Sequence, residues 1–125
     1  MHKSFLIIGA LMGAVGVVLG AFGAHALKDV LSTSGRLDTY ETAVKYQMYH
    51  SLALLLLGLL TFHVDHKFMQ YAGWAFIIGT LIFSGSLYSL CATGITKLGA
   101  ITPIGGVFLI AGWILMALGV YKASE

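Results

Sequence analysis

Apolar residues along this chain fall into four long runs separated by short polar stretches, and each run has the length of a membrane-crossing helix. A hydrocarbon core about 30 Å thick takes about 20 helical residues to cross. The first run predicts a helix over residues 5–27 that is interrupted by no charge. Gly9, Gly13, Gly16, Gly20 and Gly23 recur along it at steps of three and four. That spacing keeps the glycines on one stripe, where a partner backbone can approach closely. The first helix is therefore expected to be the central, tightly packed one.

A polar connection over residues 28–37, with Ser32, Thr33, Ser34 and Gly35, leads into Asp38, Thr39, Tyr40 and Glu41, which have the spacing of a capping box. A second helix is predicted over 39–62. Its first turns are amphipathic and it turns leucine-rich after Ser51, so it enters the membrane obliquely or against a polar pocket. A charged turn from His63 to Lys67 precedes a third helix over 68–93, closed by Gly94. Thr102 and Pro103, the only proline, then read as the N-cap and first turn of a fourth helix over 103–121. Gly105, Gly112 and Gly119 recur every seven residues in it, a second seam expected to pack on the first. Trp74, Trp113, Tyr71 and Tyr121 are candidate headgroup-level anchors. A short echo between residues 7–11 and 77–81, each Ile-Ile-Gly-X-Leu, suggests two copies of one helical hairpin.

Composition agrees with this pattern. The 125 residues are 58% hydrophobic and only 10% charged, with a mean hydropathy of +0.91, well beyond the roughly 45–50% apolar content of a soluble domain. The expected architecture is all-α: a polytopic, four-transmembrane-helix bundle with short loops, forming one integral membrane domain over residues 1–125. The first run is longer than the roughly 7–15 apolar residues of a signal peptide, so it is read as an uncleaved helix. The net charge of +2 is spread between the runs and forms no nucleic-acid surface. Lys3, Lys67 and Lys122 on one membrane face balance Lys28, Arg36, Lys45 and Lys97 on the other, which leaves the orientation open. Cys91 is the only cysteine and has no thiol partner in the chain.

The polar residues that bear on chemistry are His25, Glu41, Tyr46, Gln47 and His50, together with Ser84, Ser86 and Tyr88. The i,i+3 and i,i+4 spacings place Tyr46, Gln47 and His50 on one helix face. Polar groups at membrane depth are costly and mark ion paths, proton relays or binding sites. The alternative is that both histidines sit at the headgroup boundary and fix the register of the bundle. His25, His50 and Glu41 could supply three metal ligands only if the fold brings them together, and His63 with His66 reads as a hydrated turn, so neither a metal nor a cofactor is expected. Ser84 and Ser86 have no nucleophile elbow around them, and no lysine with a Ser/Thr follows the glycines as in a P-loop; helix packing is the better account of both.

The segments GAFGAHAL (20–27), ETAVKYQMYH (41–50), FSGSLY (83–88) and ITPIGG (101–106) resemble the YwdK/YgdD-like family of small, uncharacterised bacterial membrane proteins, which has vertebrate relatives. The resemblance spans nearly the whole chain in the same order. It implies a four-helix membrane protein and carries over no catalytic residue, substrate or cofactor. Two functional expectations stand together. One is a non-enzymatic packing or accessory module of the cell membrane, associating through its glycine seams with a second copy or another membrane protein. The other is a small transporter or channel with a polar path near His25, Glu41, Gln47 and His50. The expected surroundings are a lipid bilayer, in a bacterial plasma membrane, crossed several times.

Overall fold

A computed structural model describes residues 2–123, with only the backbone of His2; Met1, Ser124 and Glu125 lie outside the described residues. The helices are α1 (His2–Ala24), α2 (Lys28–Thr33), α3 (Leu37–Leu60), α4 (Lys67–Thr93) and α5 (Thr102–Ala123), with a 3-10 turn at Thr96–Ala100 before α5. No strand occurs among the described residues. α1, α3, α4 and the α5 region are each long and apolar enough to cross a membrane, with peak mean hydropathies of 2.5, 1.2, 1.7 and 2.1. The chain is an all-α bundle of four such helices.

The boundaries differ from the expected ones in instructive ways. The first helix ends at Ala24, three residues early: Gly20 and Gly23 weaken its last turns, and the Leu27 N–H reaches back five residues to the Phe22 carbonyl at 2.8 Å. The connection expected over 28–37 contains the short helix α2. The expected capping box is not formed, because Arg36 occupies the N-cap position without a side-chain bond and α3 begins at Leu37. Gly35, at a φ of 72°, turns the chain so that the Arg36 N–H meets the Leu31 carbonyl at 2.8 Å and the helix starts early. Asp38 still lies in the first turn, where a negative charge suits the helix dipole. The second helix ends at Leu60 rather than residue 62, and the third and fourth begin one residue earlier than expected. Gly94 does close α4, in the left-handed conformation at a φ of 73°.

Packing overturns the expectation that the first helix is central. α3 and α4 form the middle of the bundle; α1 lies along α3, and α5 lies along α4. The core of Leu54, Leu57, Met69, Ala72 and Phe76 sits on α3 and α4, and Phe5 of α1 reaches into it. A glycine stripe buries only one face of its helix. The rest of α1 is aliphatic and open, with Ile7, Leu11, Val15 and Val18 all more than half exposed. The seam of α5 likewise meets α4 and not α1: Gly105 faces Phe83, Gly112 faces Phe76 and Gly119 faces Met69. The two hairpins do repeat one device, since Gly9 lies against Leu55 of α3 and Gly79 against Leu109 of α5.

Candidate functional site

The polar residues of the bundle separate into two clusters, one on each side of α3. The first lies between α1, α3 and α4. Along α1 the glycines leave the backbone uncovered, and side chains of α3 reach its carbonyl oxygens. Ser51 Oγ donates to the Gly9 carbonyl at 2.6 Å, Gln47 Nε2 donates to Met12 at 2.9 Å, and the Tyr40 hydroxyl donates to Leu19. These carbonyls already accept within α1, so the α3 side chains use their second lone pairs. The order runs antiparallel, like a zipper, and fixes the register of the two helices. Hydrogen bonds between helices in a bilayer are worth about 0.6–2 kcal/mol each.

From α4 the Tyr88 hydroxyl donates to Gln47 Oε1 at 2.7 Å, and Ser84 Oγ donates to the Ala43 carbonyl at 2.7 Å. The Tyr40 and Tyr88 rings meet edge-on at 5.6 Å. Gln47 is therefore the joint of three helices, spending its donor on α1 and its acceptor on α4. Beside it lies a cleft of about 310 Å³, which Gln47, Thr80, Ser84 and Tyr88 share with apolar neighbours.

The second cluster, on the α5 side, centres on His50, which is 4% exposed. Its Nδ1 lies 2.7 Å from the Tyr46 carbonyl, and Trp113 Nε1 donates to its Nε2 at 3.0 Å. A carbonyl only accepts and an indole N–H only donates, so the ring is neutral with its proton on Nδ1. Both nitrogens are thereby occupied. Phe76 lies edge-on to Trp113 at 5.1 Å and Tyr46 stacks on Phe83 at 4.6 Å. Tyr46, His50, Phe83 and Trp113, together with Tyr49 and Leu109, line a larger apolar cleft of about 670 Å³.

The expected grouping of Tyr46, Gln47 and His50 on one face is split. Tyr46 and His50 turn toward the side where α5 lies on α4, and His50 there meets Trp113, whereas Gln47 turns toward α1 and α4. His25 lies exposed in the turn after α1, and Glu41 is exposed on the first turns of α3. Ser86 donates to the Phe83 carbonyl at 2.9 Å and lies 2.6 Å from Thr102 Oγ1, so Thr102 ties the start of α5 to α4 instead of standing as an N-cap before it. Trp113 is mid-helix and bonded to His50, not a headgroup anchor. Among the described residues no three of His, Cys, Asp and Glu come together as metal ligands do.

Sequence reasoning missed Tyr40, Ser51, Thr80 and Trp113 as members of these clusters. The first two had a signal: Tyr40, Gln47 and Ser51 stand seven and four apart, which is one helix face. Thr80 stands four before Ser84 in the same way. Trp113 had none, since its partner lies 63 positions away.

Residues 19–106 match the family described as Protein of unknown function (DUF423). The chain is 45% identical over 120 residues to a UPF0382 membrane protein of Staphylococcus haemolyticus, covering 96% of this chain and 97% of the relative. A UPF0382 membrane protein of Staphylococcus saprophyticus is also 45% identical, over 96% of this chain and 98% of its own length. Another from Staphylococcus aureus (strain USA300) is 47% identical over 96% and 97%. No solved structure matches the chain.

Proposed function

The chain belongs to the DUF423 family, and from that premise we infer that it is a non-enzymatic packing or accessory module of the bacterial plasma membrane. The YwdK/YgdD-like resemblance is read as the same family under another description. The observation that carries the module reading is the state of its polar interior. Gln47, His50, Ser51, Ser84, Ser86 and Tyr88 each bond a backbone carbonyl or another side chain. With their hydroxyl hydrogens and both imidazole nitrogens engaged, these groups hold helices in register, whereas a nucleophile or relay needs a hydroxyl or ring nitrogen free to react.

The glycine seams are spent inside the bundle, so association with a second copy or another membrane protein falls to the outer aliphatic faces of α1 and α5. The alternative of a transporter or channel along His25, Glu41, Gln47 and His50 has less support: the first two are exposed at one end of the bundle and the last two face different clefts. The test pairs native mass spectrometry of the protein released from mild detergent with flux in proteoliposomes. A defined assembly, with no flux differing between wild type and His50→Ala, is the expected result. A pH-dependent flux of any ion that His50→Ala abolishes would overturn the reading.

A further inference from the structure

The cleft between α1, α3 and α4 contains a polar group with nothing to bond. Thr80 Oγ1 is buried without a hydrogen-bond partner, and the residue is only 6% exposed. An unpaired hydroxyl in an apolar interior is costly, and threonines in such helices ordinarily bond the carbonyl one turn back. Around it the other polar residues keep spare capacity. Gln47 Nε2 has used one of its two hydrogens, on Met12. Ser84 and Tyr88 have each given away their one hydrogen and retain lone pairs. The space is real: about 310 Å³, at the lower end of small-molecule sites.

We propose that this cleft binds an uncharged, mainly hydrocarbon molecule from the bilayer, bearing one hydroxyl or carbonyl that docks on Thr80. Its depth argues for neutrality. Met12, Gln47 and Thr80 fall near the middles of α1, α3 and α4, so the polar end of the ligand sits at the level where a charged group is most costly. No acidic or basic side chain lines the cleft to compensate a charge. The hydrocarbon part is matched by the apolar remainder of the lining. Access is lateral: Leu81 at the rim is 70% exposed, and Gly85, also lining the cleft, has nothing within 4 Å of where a Cβ would stand. The site goes beyond the module reading and holds whether or not the chain has a protein partner.

Gly85 supplies the variant that separates binding from folding. Gly85→Leu sends its side chain into open space and replaces the poorest helix former but proline, so the bundle keeps its thermal stability while the cleft is filled. The assay is saturable binding of radiolabelled 1-tetradecanol to the protein in phosphatidylcholine nanodiscs, against empty nanodiscs, with tetradecane and tetradecanoate as competitors. One alcohol per chain is expected, displaced poorly by the alkane and the carboxylate. Gly85→Leu should abolish binding, and Thr80→Val should weaken it about tenfold, the scale of one hydrogen bond. Equal competition by all three compounds, or saturable binding retained by Gly85→Leu, would overturn the proposal. So would a Thr80→Val protein that is more stable yet binds the alcohol as wild type does, since the hydroxyl would then be an unfilled defect.

Discussion

The two hairpins, α1 with α3 and α4 with α5, both use glycine to seat a neighbour's side chains, but only along the α1 stripe do hydrogen bonds to the uncovered backbone accompany it. In the first, the glycines strip side chains from α1 so that Tyr40, Gln47 and Ser51 can hydrogen-bond its backbone. In the second, Gly112 and Gly119 receive the side chains of Phe76 and Met69, and Gly105 lets the α5 backbone come directly against the α4 backbone at Phe83 and Gly79. The first seam carries three directional hydrogen bonds along its length, whereas the second is steric except where Ser86 meets Thr102 at the start of α5. A small-residue stripe therefore states that a helix will be approached closely, and the facing helix decides whether a hydrogen bond or a ring fills the space. Lipid removes most of the hydrophobic drive between helices, so both solutions rest on short-range terms.

Substitutions that exploit this contrast should fall in a definite order. The largest effect belongs to Gly105→Leu, whose Cβ would stand 2.8 Å from the Phe83 Cα and 2.9 Å from the Gly79 carbonyl oxygen. Backbone cannot yield as a side chain does, so a loss of about 3 kcal/mol or more is expected in thermal unfolding in detergent. Next comes Gln47→Leu, which removes bonds to two helices and leaves the Tyr88 hydroxyl unpaired, at about 2 kcal/mol. Adding Tyr88→Phe to it should restore about 1 kcal/mol, and strictly additive losses in that double-mutant cycle would show the pair to be uncoupled.

Trp113→Phe keeps most of the ring packing but strips His50 Nε2 of its donor. A loss of about 1 kcal/mol is expected, and the same substitution made with His50→Leu should cost less than it does alone. The smallest effect belongs to Gly20→Ala, which meets only Val44 Cγ1 at 3.4 Å. Contact there is ordinary and alanine favours the helix by about 0.8–1 kcal/mol, so unfolding should shift little or rise slightly. If Gly20→Ala cost as much as Gly105→Leu, the distinction between the two seams would be lost.

The four spans, their short connections, the Gly94 terminus and the small-residue seams were legible in the sequence, because length, hydropathy and glycine spacing are local quantities. Which helix meets which was not. The seams of α1 and α5 look complementary on paper, yet each is filled by the neighbour in its own hairpin, and α3 and α4, with small or hydroxylated residues on more than one face, take the centre. Helix starts erred where a turn overrode a cap: Asp38 has the right spacing, but the Gly35 turn hands the chain to α3 before that side chain can act. In the polar clusters, partners one helical face apart were findable, as with Tyr40, Gln47 and Ser51. The pairing of Trp113 with His50 depends on the crossing of α3 and α5 and has no local trace.

The zipper on α1 also bears on how the protein is made. α3 is the least apolar of the four spans, at a peak mean hydropathy of 1.2 against 2.5 for α1, and Gln47 and Ser51 add to the cost of placing it in lipid. α1 precedes it in the chain, so by the time α3 is synthesised the carbonyls of Gly9, Met12 and Leu19 are already in the bilayer. The first span is thus placed to serve as an internal partner for the insertion of α3. A marginal segment is offered acceptors for its polar groups by a helix made before it.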